Sequence, residues 1–143
     1  VFFASFCANN LLSRGKAFAA WVNVGLGLVD ATLTATDQPL PRIPPFHGHL
    51  SADIIFRGLT VNPVWVWTAD QNRVFEGETT TTGASVLNVG GSYVWPRAHA
   101  AHIFSVRGYN LTNALYRNHT SFIKDLAPEI GRGVRVSYSV RFF

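Results

Sequence analysis

Apolar and polar residues alternate at period two along most of this chain. From Ala20 to Leu28 the even positions are Ala20, Val22, Val24, Leu26 and Leu28, with Asn23, Gly25 and Gly27 among the residues between them. Such alternation predicts a strand with one apolar face and one smaller, more polar face. "TVNPVWVWTADQ" is rich in β-branched and aromatic residues, and Pro63 within it predicts a bulge or a ladder position whose donor is not needed. "ASVLNVGGSYVW" and "AHIFSVRGYNL" continue the pattern. The chain closes on "VRVSYSVRFF", which sets Val134, Val136, Tyr138, Val140 and Phe142 on one face and Arg135, Ser137, Ser139 and Arg141 on the other. No apolar stripe at i, i+3, i+4, i+7 runs over three turns, so the expected fold is all-β.

The connections alternate in length. "TATDQPLPRIPPF" is long and proline-rich, "FRGL" is tight, "NRVFEGETTTTG" is long, "WPRAHA" is short and "TNALYRNHTSFIKDLAPEIGRG" is very long. An antiparallel up-and-down meander that gathers long loops at one end and tight turns at the other has the pattern of a transmembrane β-barrel. Each expected strand is close to the ~9–11 residues that cross the hydrocarbon on a tilt. The closing strand fits this reading. Arginine facing lipid at mid-depth costs about 2–4 kcal/mol, so Arg135 and Arg141 belong inside a polar lumen. Trp65, Trp67, Tyr93, Trp95, Tyr138 and Phe142 are expected to form interfacial girdles. A soluble half-buried sheet would show the same alternation, but has no reason to sort its loops.

Composition agrees. Only 14% of the 143 residues are charged and 13% are aromatic, against roughly 25% charged in soluble domains, and the mean hydropathy is positive. The formal charge of +4 comes from scattered Lys and Arg, without the clustered stripe that nucleic-acid binding requires. Cys7 stands alone, which excludes an intramolecular disulfide and a cysteine-based zinc site. The opening "VFFASFCANN" lacks a basic n-region and a cleavage motif and does not read as a signal peptide. "AFAAWVNVGLGLVDA" is interrupted by Asn23 and Asp30 and falls short of the ~20 residues of a spanning helix.

Candidate chemistry is sparse. His47 and His49 alternate on one strand face, and His99 and His102 lie near a short turn, but no Asp, Glu or Cys stands at convincing ligand spacing, so no metal site is expected. "GLGLVD" lacks the third glycine and following helix of a dinucleotide site. The triplets at Asn110 and Asn118 match the glycosylation pattern by chance. No nucleophile elbow or Ser/His/Asp set is evident. No enzyme activity and no cofactor are expected.

Three stretches carry a resemblance to a known family. "LPRIPPFHGHLSADIIF" resembles a Leu-Pro-x-x-Pro element that enters a descending strand, "NLTNALYRNH" an Asn-Leu-x-Asp/Asn-x-x-Tyr element after the penultimate strand, and "GRGVRVSYSVRFF" a Gly-Arg-x-Val-Arg last strand with an aromatic terminus. In this order and spacing they resemble the C-terminal β-barrel of TonB-dependent outer-membrane receptors, over residues 17–143. Residues 1–16 lack the family's Gly-x-Glu element and are left as an upstream segment that could form part of a strand. Phe143 adds a second aromatic beyond the position where such barrels commonly stop.

The resemblance implies an outer-membrane location in a Gram-negative bacterium and uptake of a scarce nutrient such as a ferric siderophore. It implies three partners: outer-membrane lipid, the barrel assembly machinery, and TonB through an N-terminal plug region outside this chain. The assembly signal would be Val136, Tyr138, Val140, Phe142 and Phe143. By analogy, ligand-binding candidates are Arg73, Phe75 and Glu76 in one long loop and Tyr116, Arg117, His119 and Lys124 in the longest. Six strands are expected after residue 16, fewer than the eight of the smallest outer-membrane barrels and the roughly 22 of plugged transporters. The chain is therefore expected to be a section of a larger barrel. A passive porin-like channel and a soluble β-sandwich binding module remain as alternatives.

Overall fold

The computed structural model describes the backbone of residues 2–14 and all of residues 18–143. Seven strands follow one another: β1 (Phe2–Arg14), β2 (Phe18–Asp30), β3 (His47–Phe56), β4 (Leu59–Thr68), β5 (Ala84–Pro96), β6 (Ala100–Tyr109) and β7 (Gly133–Phe142). They form one antiparallel sheet in sequence order, β1-β2-β3-β4-β5-β6-β7. The expected up-and-down meander is what forms, and the backbone of residues 2–14 adds a strand to the six expected after residue 16. A two-sheet sandwich is absent among the described residues: the sheet is a single layer, open along β1 and β7.

Register decides the faces, because directly paired residues project to the same side. Phe104 pairs with Tyr138, Tyr93 with Phe104 and Leu59 with Tyr93, so one apolar face runs across four strands. Leu50 opposite Trp65 and Val24 opposite Leu50 extend it to β2. The other face carries Arg135 opposite Arg107, Ser105 opposite Ser137 and Thr60 opposite Ser92. Most of the large apolar side chains lie on the first face and remain exposed, Phe142 at 78% and Val136 at 72%, whereas among the described residues no large side chain is fully buried. A soluble domain would cover such a surface with a second layer. A ten-residue strand is about 33 Å long, or roughly 23 Å along the normal at a 45° tilt, which matches an apolar band about 25 Å tall.

Aromatic residues line much of the apolar face. From the short-turn end to mid-strand Trp95, His102, Tyr138 and Phe104 form a contiguous run, with Tyr138 4.8 Å from Phe104 and the Arg97 guanidinium 4.0 Å above Trp95. At the long-loop end Trp67 packs edge-on against Phe46 at 5.0 Å, and Trp65 donates its indole N–H to Ser85 at 2.6 Å.

Local chemistry sets the strand limits. Arg57 and Gly58 both have positive φ, 46° and 85°, which makes the β3–β4 connection a two-residue turn whose twist matches its strands. The β3–β4 pairing is interrupted at Pro63, which has no N–H to give, and the Ala52 carbonyl accepts instead from Asn62 Nδ2 at 3.1 Å. Asn110, at φ 46° and 2% exposed, ends β6. Its side chain donates to the carbonyls of Ala114 and Ile130 at 2.8 and 3.2 Å and accepts the Ala114 N–H at 2.9 Å. This one amide folds the start of the longest loop back on its end. Asn110→Ala should loosen residues 110–132 by about 1–3 kcal/mol, since three part-buried backbone groups lose their partner. Amide exchange across the loop reads this, and unchanged protection would refute the role.

Candidate functional site

All three long connections, residues 31–46, 69–83 and 110–132, leave the same end of the sheet. A partly buried carboxylate, that of Glu78, holds them together. The Glu78 carboxylate, in the second loop, accepts the backbone N–H of Arg42 in the first loop at 3.3 Å and that of Phe75 at 3.4 Å. From the third loop Lys124 Nζ lies 3.2 Å from Glu78 Oε1 and donates to the Thr79 carbonyl at 2.7 Å. His119 completes the cluster. Its Nδ1 is 2.9 Å from Thr81 Oγ1 and 3.3 Å from Lys124 Nζ, while its Nε2 is 3.3 Å from Glu78 Oε1, without the alignment of a hydrogen bond. An ammonium can only donate, so Nδ1 is the accepting nitrogen and Nε2 carries the proton, facing the carboxylate. His119 is 2% exposed, Lys124 5% and Thr81 6%.

The electrostatics of this cluster are set by burial and by the lysine. Burial pushes the Glu78 carboxyl up, but the backbone N–H of Arg42, then the hydrogen bond and charge of Lys124 and the Phe75 N–H, carry it below the ordinary 4.5. Burial and then the Lys124 charge push His119 below the ordinary 6.5, against the smaller pulls of Glu78 and Asp125. In the opened loops both groups therefore bind protons more readily than in the closed ones, and closure weakens as pH falls. The contribution of His119 is complete above pH 6.5 and declines below it. That of Glu78 is complete above pH 4.5 and declines below it. Proteolysis of the loops should accelerate first as pH drops through the histidine window; a cleavage rate flat from pH 7 to 5 would refute this assignment.

The loop residues singled out from sequence come to this end of the sheet in different settings. Arg73 pairs with Asp30 at the end of β2 and donates to Thr32 Oγ1 at 2.7 Å. Glu76 accepts from Gln38 Nε2 at 3.2 Å. Phe75 contributes its backbone N–H to the Glu78 carboxylate and is half-buried. Arg117 donates to the Lys124 carbonyl. Tyr116, Arg117 and His119 line a hollow of about 400 Å³ with Pro44, His47 and Glu129. Burial and then the charge of Glu129 push the Tyr116 phenol above its ordinary 10.0, keeping it neutral there. Sequence reasoning missed Glu78, around which the loops close. No local signal set it apart from Asp70 and Glu76 in the same loop, and nothing local marked its partners 36 and 46 residues away.

The polar face of the sheet has a second hollow of about 400 Å³, which Asn62, Ser92, Arg107 and Arg135 help to line. Beside it Asp53 accepts from Asn62 Nδ2 at 2.7 Å and from Asn23 Nδ2 at 3.2 Å. Among the described residues no three His, Cys, Asp or Glu stand close enough to hold a metal ion together. The arrangement combines a polar wall, an apolar back and a loop cluster over one end.

A single-layer antiparallel meander with one apolar face, one polar face and sorted loops has the fold of part of a β-barrel. No protein-family model matches the chain. Among solved structures it is similar to the copper transporter OprC, with a TM-score of 0.75 and 19% identity over 96% of this chain. The chain spans 22% of the length of that transporter. At this identity the likeness is one of fold.

Proposed function

We propose that the chain is the C-terminal section of the barrel of a TonB-dependent outer-membrane receptor that takes up a scarce, metal-bearing nutrient such as a ferric siderophore. The observation that carries this reading is the two-faced sheet, which gathers every long loop at one end and leaves both edges open. An open edge in hydrocarbon costs several kcal/mol for each unpaired backbone group, so β1 and β7 pair with further strands of the same barrel. The apolar face then meets outer-membrane lipid and the polar face lines the lumen. Energy reaches it through TonB and a plug region N-terminal to this section. The cargo's first contacts are Arg73, Phe75, Glu76, Tyr116 and Arg117, with His119 and Lys124 holding the loops in shape beneath them. Val136, Tyr138, Val140, Phe142 and Phe143, on the last strand and its end, are the surface offered to the barrel assembly machinery.

The test is uptake by the full-length protein in an outer-membrane host. Accumulation of a ferric siderophore or another metal-bearing nutrient should require both the protein and TonB. Uptake that continues at full rate in cells lacking TonB would replace this reading with a passive channel.

A further inference from the structure

His47 and His49 are the first and third residues of β3, so both project from the polar face just below the loops. Their cross-strand neighbours on β2 are glycines: His47 stands opposite Gly27 and His49 opposite Gly25. Both imidazoles lie across these glycines. A Cβ on Gly27 would come within 2.5 Å of His47 Nε2, and one on Gly25 would run into His49 Cε1. The bare backbone of β2 is thus a shelf on which two rings rest, and any larger residue would displace them. The tautomer of His47 is fixed as well. Its Nδ1 is 2.8 Å from the Pro45 carbonyl, which can only accept, so Nδ1 carries the proton and the lone pair sits on Nε2. Anchoring one ring nitrogen on a backbone carbonyl is how proteins orient a histidine that ligates through the other. His47 also borders the hollow that Tyr116 and Arg117 line, which places the pair between the loops and the polar wall.

We propose that His47 and His49 form a two-imidazole site in the lumen for a borderline transition-metal cation of the Cu²⁺ or Zn²⁺ kind, with water or the cation's own carrier filling the other positions. Two residues apart on one face of one strand, the histidines are about 6.6 Å apart along the backbone, a spacing from which two imidazoles that lift off the glycine shelf can share one metal ion at ~2.0–2.1 Å. Imidazole suits these ions, and neutral histidine is the ligating form. The absence of a third protein ligand among the described residues makes the site a point of exchange rather than a permanent mount. The lumenal placement rests on the transporter reading, but the ligand chemistry does not.

The test is titration of the purified full-length receptor in detergent with CuCl₂, followed by calorimetry and by electron paramagnetic resonance for nitrogen coordination. Wild type should show a site with nitrogen ligands. His47→Ala and His49→Ala should each weaken it by roughly tenfold or more, while His99→Ala, in the short turn, leaves it unchanged. Gly27→Ala keeps both imidazoles but crowds one, and should weaken binding several-fold in a receptor that still shows the heat-modifiable migration of a folded barrel. Equal affinity in wild type and in the His47→Ala/His49→Ala double variant overturns the site, as does a wild-type receptor with no nitrogen-coordinated copper. TonB-independent uptake, measured separately, would overturn the transporter reading and leave the copper site standing.

Discussion

Replacing Lys124 with alanine is expected to release the outer loops. Lys124 is buried, its ammonium lies 3.2 Å from the partly buried carboxylate around which the three loops meet, and its removal leaves Glu78 and His119 facing each other without it. Breaking a buried pair from one side costs about 3–5 kcal/mol, because the surviving charge is stranded away from water. The loss is local, since the sheet beneath is held by its own ladders. Amide protection across residues 69–83 and 110–132 should fall by two or more orders of magnitude while the strands keep theirs. The double variant Lys124→Met/Glu78→Gln removes both charges and should recover part of that loss. Its recovery is incomplete because the Arg42 and Phe75 N–H groups lose their charged acceptor. Unchanged loop protection in Lys124→Ala would mean that the cluster is packing without electrostatic weight.

The second large effect separates the two faces of the sheet. Val89 stands near the middle of β5 on the apolar face, opposite Pro63, and Ser51 stands at similar height on the polar face, opposite Asn23 and Val64. Val89→Arg should destabilise the assembled barrel by about 2–4 kcal/mol, the cost of placing a guanidinium at the bilayer midplane. Ser51→Arg introduces the same side chain into an aqueous lumen beside Asp53 and should cost far less. Urea unfolding of the full-length receptor from vesicles gives both numbers. Equal effects at the two positions would mean that neither face meets lipid.

Much of the architecture was legible from residue order because a half-buried strand writes its two faces at period two. The last strand shows this: Val136 and Tyr138 on one side, Arg135 and Ser137 on the other, as the register has them. The loop lengths carried the topology, since a meander has few ways to alternate long and short connections. Pro63 was legible too, as the point where the β3–β4 pairing skips. What stayed hidden depends on contacts distant in sequence. Nothing near Glu78 announced Arg42 or Lys124, and no local signal tied Gly25 and Gly27 to the two histidines that rest on them. Cross-strand register brings those pairs together, and a slip of one residue would have sent each to the opposite face. Asn110 was legible only as part of a motif. Its work, closing a loop through its amide at positive φ, appears once Ala114 and Ile130 are seen to converge on it.

The central claim is that this seven-stranded sheet is one section of a larger outer-membrane barrel, and the coding sequence upstream of Val1 tests it most directly. The account predicts several hundred further residues that contain a plug-like domain and more alternating strands, enough to pair the open edges of β1 and β7. A start codon or secretion signal immediately before Val1 would contradict it, because seven strands with an exposed apolar face would then have to stand alone.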